Sequence, residues 1–440
     1  MRFILLGICF SLSTLVSGQQ SLVQTYHEAD PTKVKESYYI LNGDSTMIDG
    51  EYKMYSLQGN VVLKGNFNEG QKQGDFIHYG ESGIVLRETP YVDNVRQGIA
   101  IVYDADGQVI QKATFQNDTL VGELKVYDSA GNLKGVTSFA QGKPDGMVTE
   151  YYPTGAVKEE TQYKDGKPNG LTVQYYPSGK KELEAEYTSG LLNGFYKTYY
   201  PSGQLEMEVF NDRGRRSGSV KYYHENGQLM SIGKYENGAL QGEYLAYYDD
   251  GNVHKELKYT DGYRTGKNTE LHPNGNLKYE GTFSNKGLDA KITEYNEKEE
   301  VIAKKELLNE LPHGKWLTYD DRGRLISDLT YQNGKLHGIS KIFEKGDLVS
   351  EINYAFDNKQ GEAKTFHSNG QLETLATYKL GRLQGPFVRY FKNGQIEYQG
   401  EYVRNKRSGE WLTYDKRGNL TQKDTYQSGE LVKSENMEIN

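Results

Sequence analysis

The sequence predicts an all-β protein: an extended, curled antiparallel sheet of about sixteen 24-residue β-hairpin repeats. Three observations carry this. A glycine recurs at a fixed interval, an aromatic residue follows it at a fixed offset, and Asn-Gly, Asp-Gly or Ser-Gly pairs separate short runs rich in Tyr, Phe, Thr and Val. A constant period of this length is the signature of one supersecondary element stacked many times.

The opening glycines are Gly50, Gly74, Gly98, Gly122, Gly146, Gly170, Gly194, Gly218, Gly242, Gly266, Gly314, Gly338, Gly361, Gly385 and Gly409, with Ala290 in the one substituted place. Fourteen of the fifteen intervals are 24 residues and one is 23. Five residues after each comes an aromatic, from Tyr55 and Tyr79 to Tyr390 and Tyr414, with only Leu271 departing. A second glycine follows four residues later, as at Gly107, Gly179, Gly203 and Gly394, then an aliphatic such as Val109, Leu205 or Ile396. A further aromatic, such as Phe115, Tyr187 or Tyr402, closes the unit before the next Asn-Gly or its relative.

Physically the unit reads as strand, tight turn, strand, tight turn. Glycine supplies the positive φ that hairpin turns require, and runs of five to eight β-branched and aromatic residues fit strands. Charges interleave along second strands such as residues 180–187, so one face is polar and the other carries an aromatic ladder. Cross-strand aromatic pairs between successive units are each worth roughly 0.2–1 kcal/mol.

Composition agrees with an array. Gly is 50 of 440 residues, about 11% against a usual ~7%. The hydrophobic fraction of 36% includes 37 Tyr, too little purely apolar material for one large dry core. Lys and Arg total 52 against 60 Asp and Glu, a net charge of −8 that lacks the basic footprint of nucleic-acid binding. A strongly anionic membrane surface is disfavoured for the same reason.

Residues 1–18 read as a signal peptide: Arg2 is the positive n-region, Phe3 to Val16 the apolar stretch, and Val16-Ser17-Gly18 the small-residue cleavage site before Gln19. A lipoprotein reading centred on Cys9 is weaker, because Ile8 is too bulky beside it. Cleavage would remove Cys9, the only cysteine, and leave a protein without disulfides. Export to the periplasm, cell envelope or extracellular space follows, with no transmembrane segment in the mature chain. Residues 19–49 form an N-terminal segment in which Tyr38 to Gly50 reads as a capping half-unit. The array runs over 50–289 and continues over 290–433, and 434–440 are a polar, frayed tail.

The unit Gly-Glu-Trp-Leu-Thr-Tyr-Asp-Lys-Arg-Gly-Asn-Leu at 409–420 and its counterpart at 314–325 resemble the MORN-repeat variant found in bacterial proteins labelled YwqK-type antitoxins. The resemblance covers about residues 50–433. It implies a repeated β-hairpin sheet and a role in protein or surface contact.

Two units break the grammar. The unit at 290 has Ala290 for Gly, Glu299 at the turn glycine and Leu307 for the second aromatic. The favoured reading is a seam between two sub-arrays, with a partner-contact insertion or plain drift as alternatives. In the unit opened by Gly194, Phe210 arrives one residue early and Arg213-Gly214-Arg215-Arg216 follows, which reads as a solvated turn with a local bulge in preference to an anion site.

No catalytic constellation emerges, and no cofactor or metal is expected. Nucleophile-elbow and phosphate-loop motifs are absent. His224, His272 and His367 share one slot, six after the opening glycine, and His313 and His337 directly precede one, so they read as letters of the repeat. Asp104-Ala105-Asp106-Gly107 and Asp249-Asp250-Gly251 invite a calcium reading, but the same slot elsewhere holds Pro or Lys, so turn propensity is the better account. Glu182, Glu184 and Glu186 lie at period two on one strand, a solvated face rather than a glycosidase pair across a cleft. The best partner-binding candidates are the variable aromatics two after the opening glycine, above all Trp316, Phe387 and Trp411; other units carry Ala100, Thr172, Asn268 or Ser340 there. Covering the sheet face is the competing reading of that row. The leading expectation is a non-enzymatic exported scaffold that binds a protein or envelope component. An immunity or antitoxin-like protein is the alternative, and a hydrolase assembled from divergent repeats comes third.

Overall fold

The computed structural model describes residues 19–437, so the expected signal peptide and Cys9 lie outside the described residues. Each repeat is a pair of antiparallel strands, and its two turns follow from its glycines. At one edge Ser189 and Gly190 both take positive φ, 52° and 86°, the type I′ hairpin whose twist matches that of the strands. At the other, the Gly179 N–H donates to the Tyr176 carbonyl at 2.8 Å and the Tyr176 N–H to the Lys180 carbonyl at 2.8 Å, closing Tyr-Pro-Ser-Gly as a tight loop.

The described chain falls into two units, residues 19–204 with 211–214, and residues 205–210 with 215–437. In the first, strands run from Gln20–His27 to Leu191–Tyr199; in the second, from Arg215–Tyr223 to Glu430–Asn436. Pairing inside each unit is antiparallel. No α-helix occurs among the described residues, and the one helical segment is the 3-10 turn Asn285–Gly287. The repeated-hairpin prediction is therefore met.

The opening glycine has a specific task. Along Val157–Lys164, Tyr163 pairs with Pro168 but Thr161 with Thr172, so the pairing slips by two residues between them. Gly170 absorbs the slip at φ 128°, where an added Cβ would lie 2.9 Å from Gln162. Ala290 cannot adopt that backbone cheaply, and the structure shows the compensation. Leu277–Ser284 pairs with Asp289–Tyr295 without any slip, because the extra residues have moved into the longer turn Asn285–Leu288, with Asn285, Lys286 and Gly287 all at positive φ. Pairing continues from Asp289–Tyr295 into Val301–Leu308, and the Ala290 methyl is buried.

Residues 19–49 contain the hairpin Gln20–His27 and Asp30–Leu41, which pairs onward with Ile48–Tyr55. The expected frayed tail needs correction at 434–436. These residues belong to Glu430–Asn436, paired with Leu420–Gln427, and the Ser434 hydroxyl donates to Asp424 Oδ1 at 2.6 Å. Lys433 stands where the next opening glycine would fall, and the slip there shrinks to one residue. Residues 438–440 lie outside the described residues.

Candidate interaction surface

The deepest burial lies two residues after the opening glycine. Phe76 and Trp411 are each 3% exposed, and Ala100, Thr172, Ser340 and Ala363 are also buried. Size there is balanced by the residue facing it on the preceding second strand. An added Cβ on Gly65 would come within 2.5 Å of the Phe76 ring, and one on Gly400 within 2.4 Å of Trp411. Where the slot is small, the facing residue can be large, as Ile352 is opposite both Ser340 and Ala363. Asn268, fully buried, satisfies its own amide: Oδ1 accepts from the Lys258 N–H at 3.0 Å, and Nδ2 donates to the Thr265 and Gly266 carbonyls.

Around these slots the rings meet in edge-on pairs. Phe76 lies 5.4 Å from Phe67 and 5.2 Å from Tyr91, and Trp411 lies 5.0 Å from Tyr402, with the Arg407 guanidinium 4.3 Å from the Trp411 ring. Phe387 is half-buried, 5.5 Å from Tyr402. Trp316 is half-buried against Tyr331 at 5.3 Å, and its Nε1 donates to the Glu306 carbonyl at 2.8 Å. The three candidate aromatics thus face their neighbours in the sheet, and Trp411 has no ring face left for a partner. At the N-terminal end of this row Tyr52 donates to Glu36 Oε1 at 2.7 Å; burial, with Glu36 as acceptor, pushes its phenol above the ordinary tyrosine range.

The histidines and acidic turns have structural duties that sequence reasoning located without naming. His224, His272 and His367 reach the carbonyls of Tyr247, Tyr295 and Tyr390 in the next unit, at 3.2, 3.1 and 2.7 Å, and Tyr152 and Tyr248 make the same bond from the same slot. Where that slot holds Asp, the carboxylate caps its own turn: Asp104 Oδ1 accepts from the Asp106 and Gln108 N–H groups at 3.0 and 2.8 Å. Its oxygen is thereby committed to the backbone. No group of three or more His, Cys, Asp or Glu that could hold a metal ion occurs among the described residues. Glu184 accepts from Lys181 and Tyr199, and so serves the sheet's polar face.

A second ladder runs along the type I′ edge. The residue before the opening glycine accepts from a turn N–H of the next repeat: Asn169 from Ser189 at 3.0 Å, Gln241 from Asp261 at 2.7 Å, Gln360 from Leu380 at 3.0 Å. His313 and His337 occupy this position, and their buried Nδ1 atoms have no hydrogen-bond partner.

Two small polar groupings lie on the aromatic-bearing face. His78, Arg87, Arg96 and Phe115 line a recess of about 370 Å³ beside Ala100 and Ala113. Burial, followed by the Arg87 charge, holds the His78 imidazole below its usual value. Further along, Glu270 is bracketed by Lys278 at 2.8 Å, Lys255 at 3.3 Å and His254 at 3.4 Å. Burial pushes this carboxyl up, but Lys278 and Lys255 outweigh it and keep it below the usual range. His254 is lowered by its own burial and by Lys255. Both groupings are open and partly exposed. Among the described residues no helix is long and apolar enough to cross a membrane.

The chain was compared with known families, curated proteins and solved structures. No curated protein matches it. Among solved structures, it aligns with a chain of the TcdB2-TccC3-TEV crystal structure at 13% identity, TM-score 0.15, covering 95% of this chain and 27% of that one. Crystals of TcdB2-TccC3-Cdc42 give 11%, 0.13, 92% and 27%; a Photorhabdus luminescens Tc holotoxin pore gives 11%, 0.13, 92% and 30%. The chain thus spans under a third of the length of these proteins. The MORN repeat variant family matches eleven segments, 96–117, 144–165, 168–188, 192–210, 216–237, 240–261, 264–285, 312–333, 359–380, 383–404 and 407–428. Together they cover more than half of the sequence, and the chain belongs to the MORN repeat variant family.

Proposed function

We propose that this protein is a non-enzymatic, exported repeat scaffold that binds a protein or another envelope component along several repeats at once. One observation carries the reading. The side chains with chemical potential are spent on the frame again and again: the turn histidines and residues such as Asn169, Gln241 and Gln360 on hydrogen bonds to the next repeat, the turn aspartates on bonds within their own turn. What varies from repeat to repeat is the exposed surface, and a surface that varies on a constant frame is suited to recognition. Export rests on the leader-like residues 1–18.

The test is affinity capture with residues 19–440 as bait against envelope and culture-fluid extracts, read by quantitative mass spectrometry. The reading expects at least one saturable, stoichiometric partner. Capture of nothing above a scrambled-surface control would contradict it. A narrower reading, an immunity protein that sequesters a toxin, rests on the resemblance to YwqK-type antitoxins. It requires the captured partner to be toxic by itself and silenced by this chain.

A further inference from the structure

The type I′ turns are normally built from residues that tolerate positive φ, such as Asn117, Asp165, Asn237 and Asn333. Two successive turns near the C-terminal end break this rule. Phe356 and Leu380 hold φ 48° and 49°, where a bulky apolar side chain is rare, and they are 49% and 73% exposed. Phe356 rests against the His337 ring at 4.6 Å, but both the backbone and the solvent disfavour Leu380, and a conformation held against both points to a function for the side chain. Val403, beside the next turn, is exposed as well.

The setting is basic. Residues 356–417 carry eleven Lys or Arg against seven Asp or Glu, in a chain whose net charge is −8. Lys379, Arg382, Arg404 and Lys406 flank the same turns and make no ion pair with any described residue. The nearest turn carboxylate, Asp357, is occupied by the Leu336 N–H at 2.8 Å. Between the turns runs an open groove of about 760 Å³ lined by Lys379, Leu380, Arg382, Gln384, Val403 and Arg404. Its walls are fixed by backbone bonds, from the Gly381 N–H to the Lys359 carbonyl and from the Asn405 N–H to the Leu383 carbonyl, each 3.0 Å.

We infer that the turn ridge formed by residues 356–359, 379–382 and 403–406 is a docking site for an acidic partner-protein segment that carries apolar side chains. Charge complementarity selects the acidic partner, because three uncommitted cations, Lys379, Arg382 and Arg404, line a groove on an otherwise acidic chain and a fourth, Lys406, flanks its turn. Phe356, Leu380 and Val403 select a polypeptide with apolar side chains over a purely polar polyanion. Successive turns stand about 10 Å apart, two strand spacings, so an extended segment meets one apolar tip and its flanking cations every third residue. The inference rests on the scaffold reading and supplies its surface.

The test uses the full mature chain and a fluorescent synthetic peptide of alternating Glu and Leu long enough to cross three turns. Binding should weaken by at least about fivefold between roughly 50 and 300 mM salt, and by at least about tenfold in Arg382→Glu with Arg404→Glu. Lys298→Glu with Arg322→Glu, both on the opposite turn edge, serves as the charge-matched control and should bind normally. Leu380→Asn separates function from folding: it should raise the melting temperature, because Asn suits the turn, and still lose about tenfold in affinity. Unchanged peptide binding in Leu380→Asn would overturn the inference. So would binding to phosphatidylserine vesicles in place of the peptide, or self-association abolished by Leu380→Asn, which would assign the ridge to a lipid surface or to a second copy. If the affinity capture above still recovers its partner with the ridge disabled, the ridge is wrong and the scaffold stands.

Discussion

Gly400 and Trp411 offer the sharpest check on how adjacent repeats lock together. Gly400 has ordinary backbone angles, so Ala there should by itself gain about 0.4–1 kcal/mol from reduced unfolded-state freedom. Its added methyl, however, would sit 2.4 Å from the Trp411 indole, far inside contact distance. Overpacking of this kind costs about 1–3 kcal/mol, so Gly400→Ala should be net destabilising. Trp411→Ala alone should cost about 3–5 kcal/mol, since it removes a buried ring and the stacked Arg407 contact. In the Trp411→Ala background the methyl has room, and Gly400→Ala should reverse sign and stabilise. The coupling energy is then the overpacking cost itself, about 1–3 kcal/mol. Urea denaturation followed by circular dichroism gives the cycle, and hydrogen exchange at Lys406–Tyr414 localises it, because a stacked array opens in parts. Additivity within about 0.5 kcal/mol would refute the ring-over-glycine account.

Other expectations follow from the same geometry. Gly170→Ala forces an L side chain into φ 128° against Gln162 and should lower the urea midpoint by the equivalent of about 1–3 kcal/mol, whereas Ala290→Gly, at a site with no register slip, should cost less than about 1 kcal/mol; equal costs would sink the slip argument. His78 and His254 have folded values held below the ordinary histidine range, so each contributes stability that is present above about pH 6.5 and lost as pH falls through the lowered folded value. The double variant His78→Gln, His254→Gln should lose less melting temperature between pH 7.5 and 5 than the parent, and an unchanged loss would contradict the assignment. Calcium should leave the melting temperature unmoved, because the Asp104 and Asp415 carboxylates already accept their own turn N–H groups; a rise of several degrees would reopen the metal reading.

The repeat was legible because its most regular letters are the ones with backbone tasks: glycine where φ must be positive, Asn-Gly where a hairpin turns, His or Tyr where a donor must reach the next repeat. The face of deepest burial was harder to read. Five after the opening glycine an aromatic is nearly invariant, yet burial is greatest two after it, where Trp411 and Ala100 hold the same slot. That tolerance comes from size compensation with a residue on another strand, Gly400 for Trp411 and Ile352 for Ala363, and one sequence displays periodic identity but not pairwise compensation. The same limit left Trp316, Phe387 and Trp411 open to two readings, a partner-binding row or a cover for the sheet face, and their ring contacts within the sheet favour the cover. The substitution at Ala290 was visible, but its remedy was not, because the displaced residues reappear in the turn Asn285–Leu288 with no change in repeat length. The Phe356 and Leu380 turns were legible in principle. They put a bulky apolar side chain at a position that holds Asn, Asp, Ser, Glu, Gln or Arg in the other described repeats and whose conformation those repeats define.

The central claim is that recognition is spread over many repeats and is not concentrated in one site. Cross-linking mass spectrometry of the captured complex tests it most directly. The account predicts partner cross-links on at least three successive repeats, including lysines of the 356–406 turns. A footprint confined to a single recess, such as the one lined by His78, Arg87 and Arg96, would contradict it.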